Sequence, residues 1–169
     1  MGLDMCLIKK KKRVNNKLIY NELDWTNETE IAYWRKANQI HKYFVDKVQN
    51  EVDDCKYYLV KKEDIQELID LCNEILRNTK LIDGKVLYSD YYEYKDGERL
   101  HTKEYGIGKV VDKPEICEQK LPTQDGFFFG STEYDEYYID NIKYTRDRLQ
   151  AILDLLDLDK WDIYYHSSW

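Results

Sequence analysis

Tyr33-Trp34-Arg35-Lys36-Ala37-Asn38-Gln39-Ile40-His41-Lys42-Tyr43-Phe44 is the stretch on which the fold turns. At a period of 3.6, Ile31, Trp34, Ala37, Asn38, His41, Phe44, Val45 and Val48 fall on one face. That spacing predicts a helix over residues 28–49, with Thr26, Asn27 or Thr29 as its cap. Asn38 and His41 then sit inside the apolar stripe. A buried amide or imidazole costs on the order of 1–3 kcal/mol unless it finds partners. Two readings follow. Either neighbouring backbone satisfies the pair, which then fixes the helix, or this face lines a cleft where Asn38 and His41 meet a ligand. Arg35, Gln39 and Lys42 fall on the opposite flank as a solvated face, with Arg35 close enough to the stripe to reach around it. No second His stands at helical spacing from His41, so no metal site is expected.

On the N-terminal side, Leu3, Met5 and Leu7 alternate with Gly2, Asp4 and Cys6, the pattern of a strand. A weaker strand is expected over 18–23. On the C-terminal side come a short strand at 57–60 and a helix over 62–78, which buries Ile65, Leu68, Ile69, Cys72, Ile75 and Leu76. Residues 85–111 read as a β-hairpin, because Asp96-Gly97 is a strong two-residue turn signal. That turn sets Tyr94 opposite Arg99, Tyr92 opposite His101, Asp90 opposite Lys103 and Tyr88 opposite Tyr105. One face becomes a ladder of rings and charges, too polar for a core and too aromatic for open solvent, which leaves a homodimer open. Residues 112–125 are expected as a loop.

A second aromatic cassette follows: Phe127-Phe128-Phe129-Gly130-Ser131-Thr132-Glu133-Tyr134-Asp135-Glu136-Tyr137-Tyr138. It reads as a brief buried strand, 127–129, broken by Gly130. Thr132 then caps a third helix to about Leu158, with Tyr134, Tyr138, Ile142, Leu149, Ile152, Leu153 and Leu156 inward. The strand–Gly–Ser–Thr–helix turn is either a plain cap, with Thr132 and Asp135 resembling a capping box, or an anion- or ligand-binding turn. A single glycine without a Walker lysine is a weak phosphate signal, and Glu133, Asp135 and Glu136 repel phosphate. A last strand is expected over 161–165. Three main helices packed on a small, mainly antiparallel sheet, with a hairpin inserted at 79–113, make an α+β fold in one domain spanning 1–169.

Composition narrows the function. The net charge of −7 disfavours general nucleic-acid binding, which needs a basic surface. The one basic run, Lys9-Lys10-Lys11-Lys12-Arg13, reads as a solvated strand end, with a phosphate-binding arm as the sharper alternative. The four cysteines form no CxxC pair, which fits a reduced cytoplasm and neither a zinc site nor a disulfide framework. No apolar run approaches the ~18 residues of a membrane span, so no membrane partner is expected. His41, His101, His166, Asp53, Asp54 and Glu133 could serve acid–base chemistry, yet none falls into a recognisable pairing. There is no GxSxG elbow and no HExxH. Neither catalytic residues nor cofactors are assigned.

The start Met1-Gly2-Leu3-Asp4-Met5, the segment Tyr33 to Phe44, the segment Phe127 to Tyr138 and the end Ser167-Ser168-Trp169 together resemble small uncharacterised proteins of bacteriophages and prophages. The likeness covers residues 1–78 and 121–169, leaving the hairpin outside it. It implies a host bacterial cytoplasm and, by analogy with other small phage proteins, a non-enzymatic antagonist of bacterial immunity. The first expectation is sequestration of a nucleotide-like signal. Tyr33, Trp34 or Phe129 would stack on its base, and Arg35, Asn38, His41, Gly130 and Ser131 would line the site. The second is an anti-CRISPR-like inhibitor whose acidic, Tyr-rich surface occupies a host defence protein. The third is a nucleotide-processing enzyme of unfamiliar type.

Overall fold

Alternation decides the sheet. Leu3, Met5 and Leu7 are all buried, and the computed structural model, which describes residues 2–12 and 29–169, places them on the inner side of the first strand. In chain order the elements are β1 (Asp4–Lys11), β2 (Thr29–Arg35), α1 (Asn38–Lys47), β3 (Tyr58–Val60) and α2 (Lys62–Asn78). Then follow β4 (Leu81–Lys95), β5 (Glu98–Val111), α3 (Pro114–Lys120), α4 (Glu136–Leu155) and β6 (Trp161–Ser168). Four strands form an antiparallel sheet in the order β2-β1-β6-β3, while β4 and β5 form a separate two-stranded one. Helices and antiparallel sheets so arranged make an α+β fold. The expected strand at 18–23 and the caps Thr26 and Asn27 lie outside the described residues.

The helix expected over 28–49 divides in two. Its first part is β2, which pairs with β1 so that Trp34 lies opposite Met5 and Ala32 opposite Leu7. Two periods coincide here. Ala32 and Trp34 point inward at a strand's period of two, while Trp34, Ala37, Asn38 and His41 also fit a helix. Pairing with β1 satisfies the backbone of 29–35 and settles the conflict. Lys36 then takes a left-handed conformation (φ 57°), and its N–H donates to the Leu3 carbonyl at 2.7 Å. Only beyond that bend does α1 begin. Gln39, expected on a solvated flank, is buried.

The inner face of the sheet carries Met5, Leu7, Trp34, Ile163 and Tyr165, and the helices pack on it. Phe44 of α1 stacks on Tyr165 with ring centroids 4.2 Å apart. The Trp34 indole N–H donates to Thr145 Oγ1 of α4 at 2.9 Å, in the core. α2 lies where its periodicity predicts and buries Ile65, Leu68, Ile69, Cys72 and Ile75, with Leu76 partly covered. Burial raises the Cys72 thiol pKa to about 12, so it behaves as an apolar filler.

Three local expectations are corrected. Residues 114–120 form α3 rather than loop, because Pro114 sits in the first turn, where its fixed φ and missing N–H carry no penalty. Residues 127–129 are a turn rather than a buried strand: Phe127 and Phe128 are exposed and only Phe129 is buried. The third long helix starts at Glu136, capped by Asp135, whose carboxylate accepts from the Tyr138 N–H at 3.1 Å; Thr132 is not the cap.

The hairpin turns at Asp96-Gly97, both with positive φ, as a type I′-like turn requires. Tyr94 faces Arg99, Tyr92 faces His101 and Asp90 faces Lys103. A register shift between Leu87 and Ser89 moves the next pair, so Tyr105 lies opposite Leu87 and not Tyr88. At the base of the hairpin, Val111 N–H donates to the Tyr134 carbonyl at 3.0 Å.

Candidate functional site

The two cassettes meet at Asn38. Its amide nitrogen donates to the Phe129 carbonyl at 3.2 Å and to the Ser131 carbonyl at 2.9 Å. Its amide oxygen accepts from the Gln124 N–H at 3.0 Å. Asn38 is buried, so these three bonds offset the desolvation of its amide and tie the start of α1 to the segment 124–131. The sequence poses a choice between a satisfied polar residue and a ligand group. The contacts of Asn38 are those of the first.

His41 lies one turn further along α1 and is fully buried. Its Nδ1 is 2.7 Å from the Tyr165 hydroxyl, and its Nε2 is 3.2 Å from the Asp53 carboxylate. Burial lowers the His41 pKa, the largest influence on it, while Asp53 pulls it back up. The ring is therefore neutral at pH 7. An ionised carboxylate can only accept, so Nε2–H donates to Asp53 and the Tyr165 O–H donates to Nδ1. Burial also holds the Tyr165 hydroxyl well above the usual phenol range, which keeps it a donor. Asp53 is half-buried and accepts a second bond from the Trp169 indole N–H at 3.2 Å. The chain Trp169–Asp53–His41–Tyr165 thus runs from the surface into the core, with the Phe129 ring edge-on to His41 at 5.4 Å.

The Gly130-Ser131 turn is shaped by close approach. Gly130 has φ +96°, and a Cβ there would come within 2.9 Å of Lys36 Cβ and 3.0 Å of the Lys36 carbonyl oxygen. Glycine is therefore required where the second cassette lies against the bend that ends β2. Ser131 Oγ accepts from the Glu133 N–H at 3.1 Å, a local turn bond that orients an otherwise exposed hydroxyl.

What remains exposed is a rim of rings. Phe127 is 83% exposed and stacks edge-on with Phe128 at 4.3 Å. The Tyr137 hydroxyl donates to the Arg35 carbonyl at 2.7 Å, joining α4 to the outermost strand. The Tyr33 hydroxyl donates to Asp4, and that bond holds its pKa above the ordinary phenol value. Tyr144, also exposed, lies edge-on to Trp34 at 6.0 Å. Asp4 and Glu30 both raise the Tyr33 pKa, and Arg35 opposes them. Two shallow hollows lie elsewhere, one lined by Asp83, Lys85, Tyr105 and Ile107, the other by Lys9, Ile31, Arg148 and Leu155.

Of the eight residues singled out from sequence, Asn38, His41, Phe129, Gly130 and Ser131 meet on the seam, Arg35 borders it through its carbonyl bond from Tyr137, and Tyr33 lies on the outer face of β2 beside Asp4. Tyr33, Arg35 and the Gly130-Ser131 turn face solvent. Asn38, His41 and Phe129 are buried, and Trp34 is buried against α4. The bonds made by Tyr165, Trp169 and Tyr137 are not marked in the sequence, although two buried polar groups in one stripe signal that partners must exist elsewhere. Among the described residues no cluster of three or more His, Cys, Asp or Glu could hold a metal ion. No described helix is long and apolar enough to cross a membrane. No family model matches the chain, and neither a curated protein nor a solved structure matches it.

Proposed function

We propose that this chain is a non-enzymatic, phage-type binding protein that antagonises bacterial immunity in the host cytoplasm by occupying a surface of a defence protein. The single observation behind this reading is the division of labour at the seam. Asn38 and His41 spend their hydrogen-bonding capacity internally, while Tyr33, Phe127, Phe128 and Tyr137 stand exposed on a chain of net charge −7. A small nucleotide asks for a concave site with free convergent donors, whereas exposed rings on a braced platform suit a protein face. The net charge of −7 favours a basic, nucleic-acid-binding partner and speeds association with it. This places the protein-docking version ahead of nucleotide sequestration.

The test is affinity capture from bacteria carrying active defence systems, followed by denaturation of the captured complex. The expected result is one stoichiometric basic host protein, released by raised salt and lost in a Tyr33→Ala/Phe127→Ala variant that melts like the wild type. An unmodified nucleotide in the denatured supernatant, with no protein partner, would overturn the proposal in favour of sequestration. A chemically altered one would instead support an enzyme.

A further inference from the structure

The β4–β5 hairpin leaves an edge that asks for a partner. No residue from 81 through 110 is buried, and Tyr88, Tyr94 and Ile107 are 82%, 77% and 91% exposed. At about 3.3 Å per residue the ribbon reaches roughly 50 Å, and a lone two-stranded hairpin is marginal in water. Long, aromatic, proline-free edges are templates for pairing with another strand. The two edges here differ. The outer edge of β5 is occupied at its base, where Val110 bridges to Asp135 and the Val111 N–H donates to Tyr134. The outer edge of β4 has no backbone partner among the described residues.

Charge selects the occupant. Residues 81–111 hold six Asp and Glu against five Lys and Arg, so the hairpin is close to neutral in a chain of net charge −7. Two copies of an acidic chain repel everywhere except where their charges balance. We propose that β4 pairs antiparallel with β4 of a second copy across a two-fold axis, forming a continuous four-stranded sheet. A register with Tyr91 on the axis sets Asp90 against Tyr92 and Glu93 against Ser89 of the second copy, so no like charges are opposed. The intrachain ladder then extends across the interface: Arg99 covers Tyr92 at 3.9 Å, and Tyr92 stacks on His101 at 4.4 Å. With Tyr91 on the axis the paired stretch is 87–95, about 30 Å long and about 10 Å deep, which buries roughly 300 Å² per copy, the size of a weak, transient interface. Pairing of that size is reversible and depends on concentration. It goes beyond the immunity-antagonist reading and stands whether or not that reading holds.

Sedimentation of the full chain across the micromolar range tests it. The expected result is a mass rising from the 20.5 kDa of one chain to twice that value, with amide exchange over 89–95 slowing in step. Tyr91→Lys sets two cations together on the axis and should remain monomeric throughout with an unchanged circular dichroism spectrum, while Tyr91→Phe should dimerise as the wild type does. A wild type that stays monomeric at every concentration would overturn the proposal. So would a Tyr91→Lys variant that dimerises as readily as the wild type.

Discussion

The seam between the cassettes and the β4–β5 hairpin have similar compositions and opposite situations. Both mix aromatic rings with imidazole and carboxylate groups. At the seam, Asn38 and His41 are buried and satisfied by backbone, hydroxyl and carboxylate partners from three other segments of the chain. In the hairpin the same kinds of group pair only across two adjacent strands and stay wet. Polar residues among rings therefore have no fixed meaning. In the first case they brace a platform through long-range bonds that are costly to break. In the second they decorate a ribbon whose stability is local.

The contrast can be broken by substitution. Asn38→Leu removes one buried and two part-buried bonds and leaves two carbonyls and an N–H without their partner, an expected cost of about 3 kcal/mol. For a chain of this length that is a fall of roughly 10 °C in melting temperature, read by calorimetry. Gly130→Ala should cost about 2 kcal/mol, because the φ of +96° and the Lys36 backbone leave no room for a Cβ; a denaturant midpoint equal to that of the wild type would refute the close approach. At the other extreme, Tyr94→Ala at the hairpin tip should change stability by less than about 0.5 kcal/mol.

Between these extremes lies a pH effect. Burial lowers the His41 pKa from its ordinary 6.5, so the unfolded chain takes up that proton first as the pH falls. This contribution to stability is complete above 6.5 and is lost on acidification through the window below it. The limiting slope is about 1.4 kcal/mol per pH unit for one proton. His41→Gln can still donate to Asp53 and accept from Tyr165, and should flatten the pH dependence of unfolding between pH 5 and 7. An unchanged slope would show that His41 is not the group titrating.

Much of the fold is legible in the sequence wherever one period dominates. α2 has a clean helical stripe, and Asp96-Gly97 fixes the hairpin turn. Where two periods overlap, as at Trp34, local pattern cannot choose, and pairing with β1 across some 30 positions decides for a strand. The misplaced cap has a related cause. Asp135 and Thr132 are both competent caps, and the bonds of the 123–134 loop, including Thr123 Oγ1 to the Thr132 carbonyl, keep Thr132 out of the helix. At the site, the sequence shows that Asn38 and His41 need partners, but the partners come from 53, 124–131 and 165, separations that periodicity does not carry.

The measurement that bears most directly on the seam–ribbon contrast is native-state amide hydrogen exchange on dilute protein. Amides of α1, β1 and β6 should exchange only through global unfolding, while those of 86–106 should exchange orders of magnitude faster through local opening. Hairpin amides as slow as those of α1 under these conditions would contradict the account, for the ribbon would then be part of the same cooperative unit as the seam.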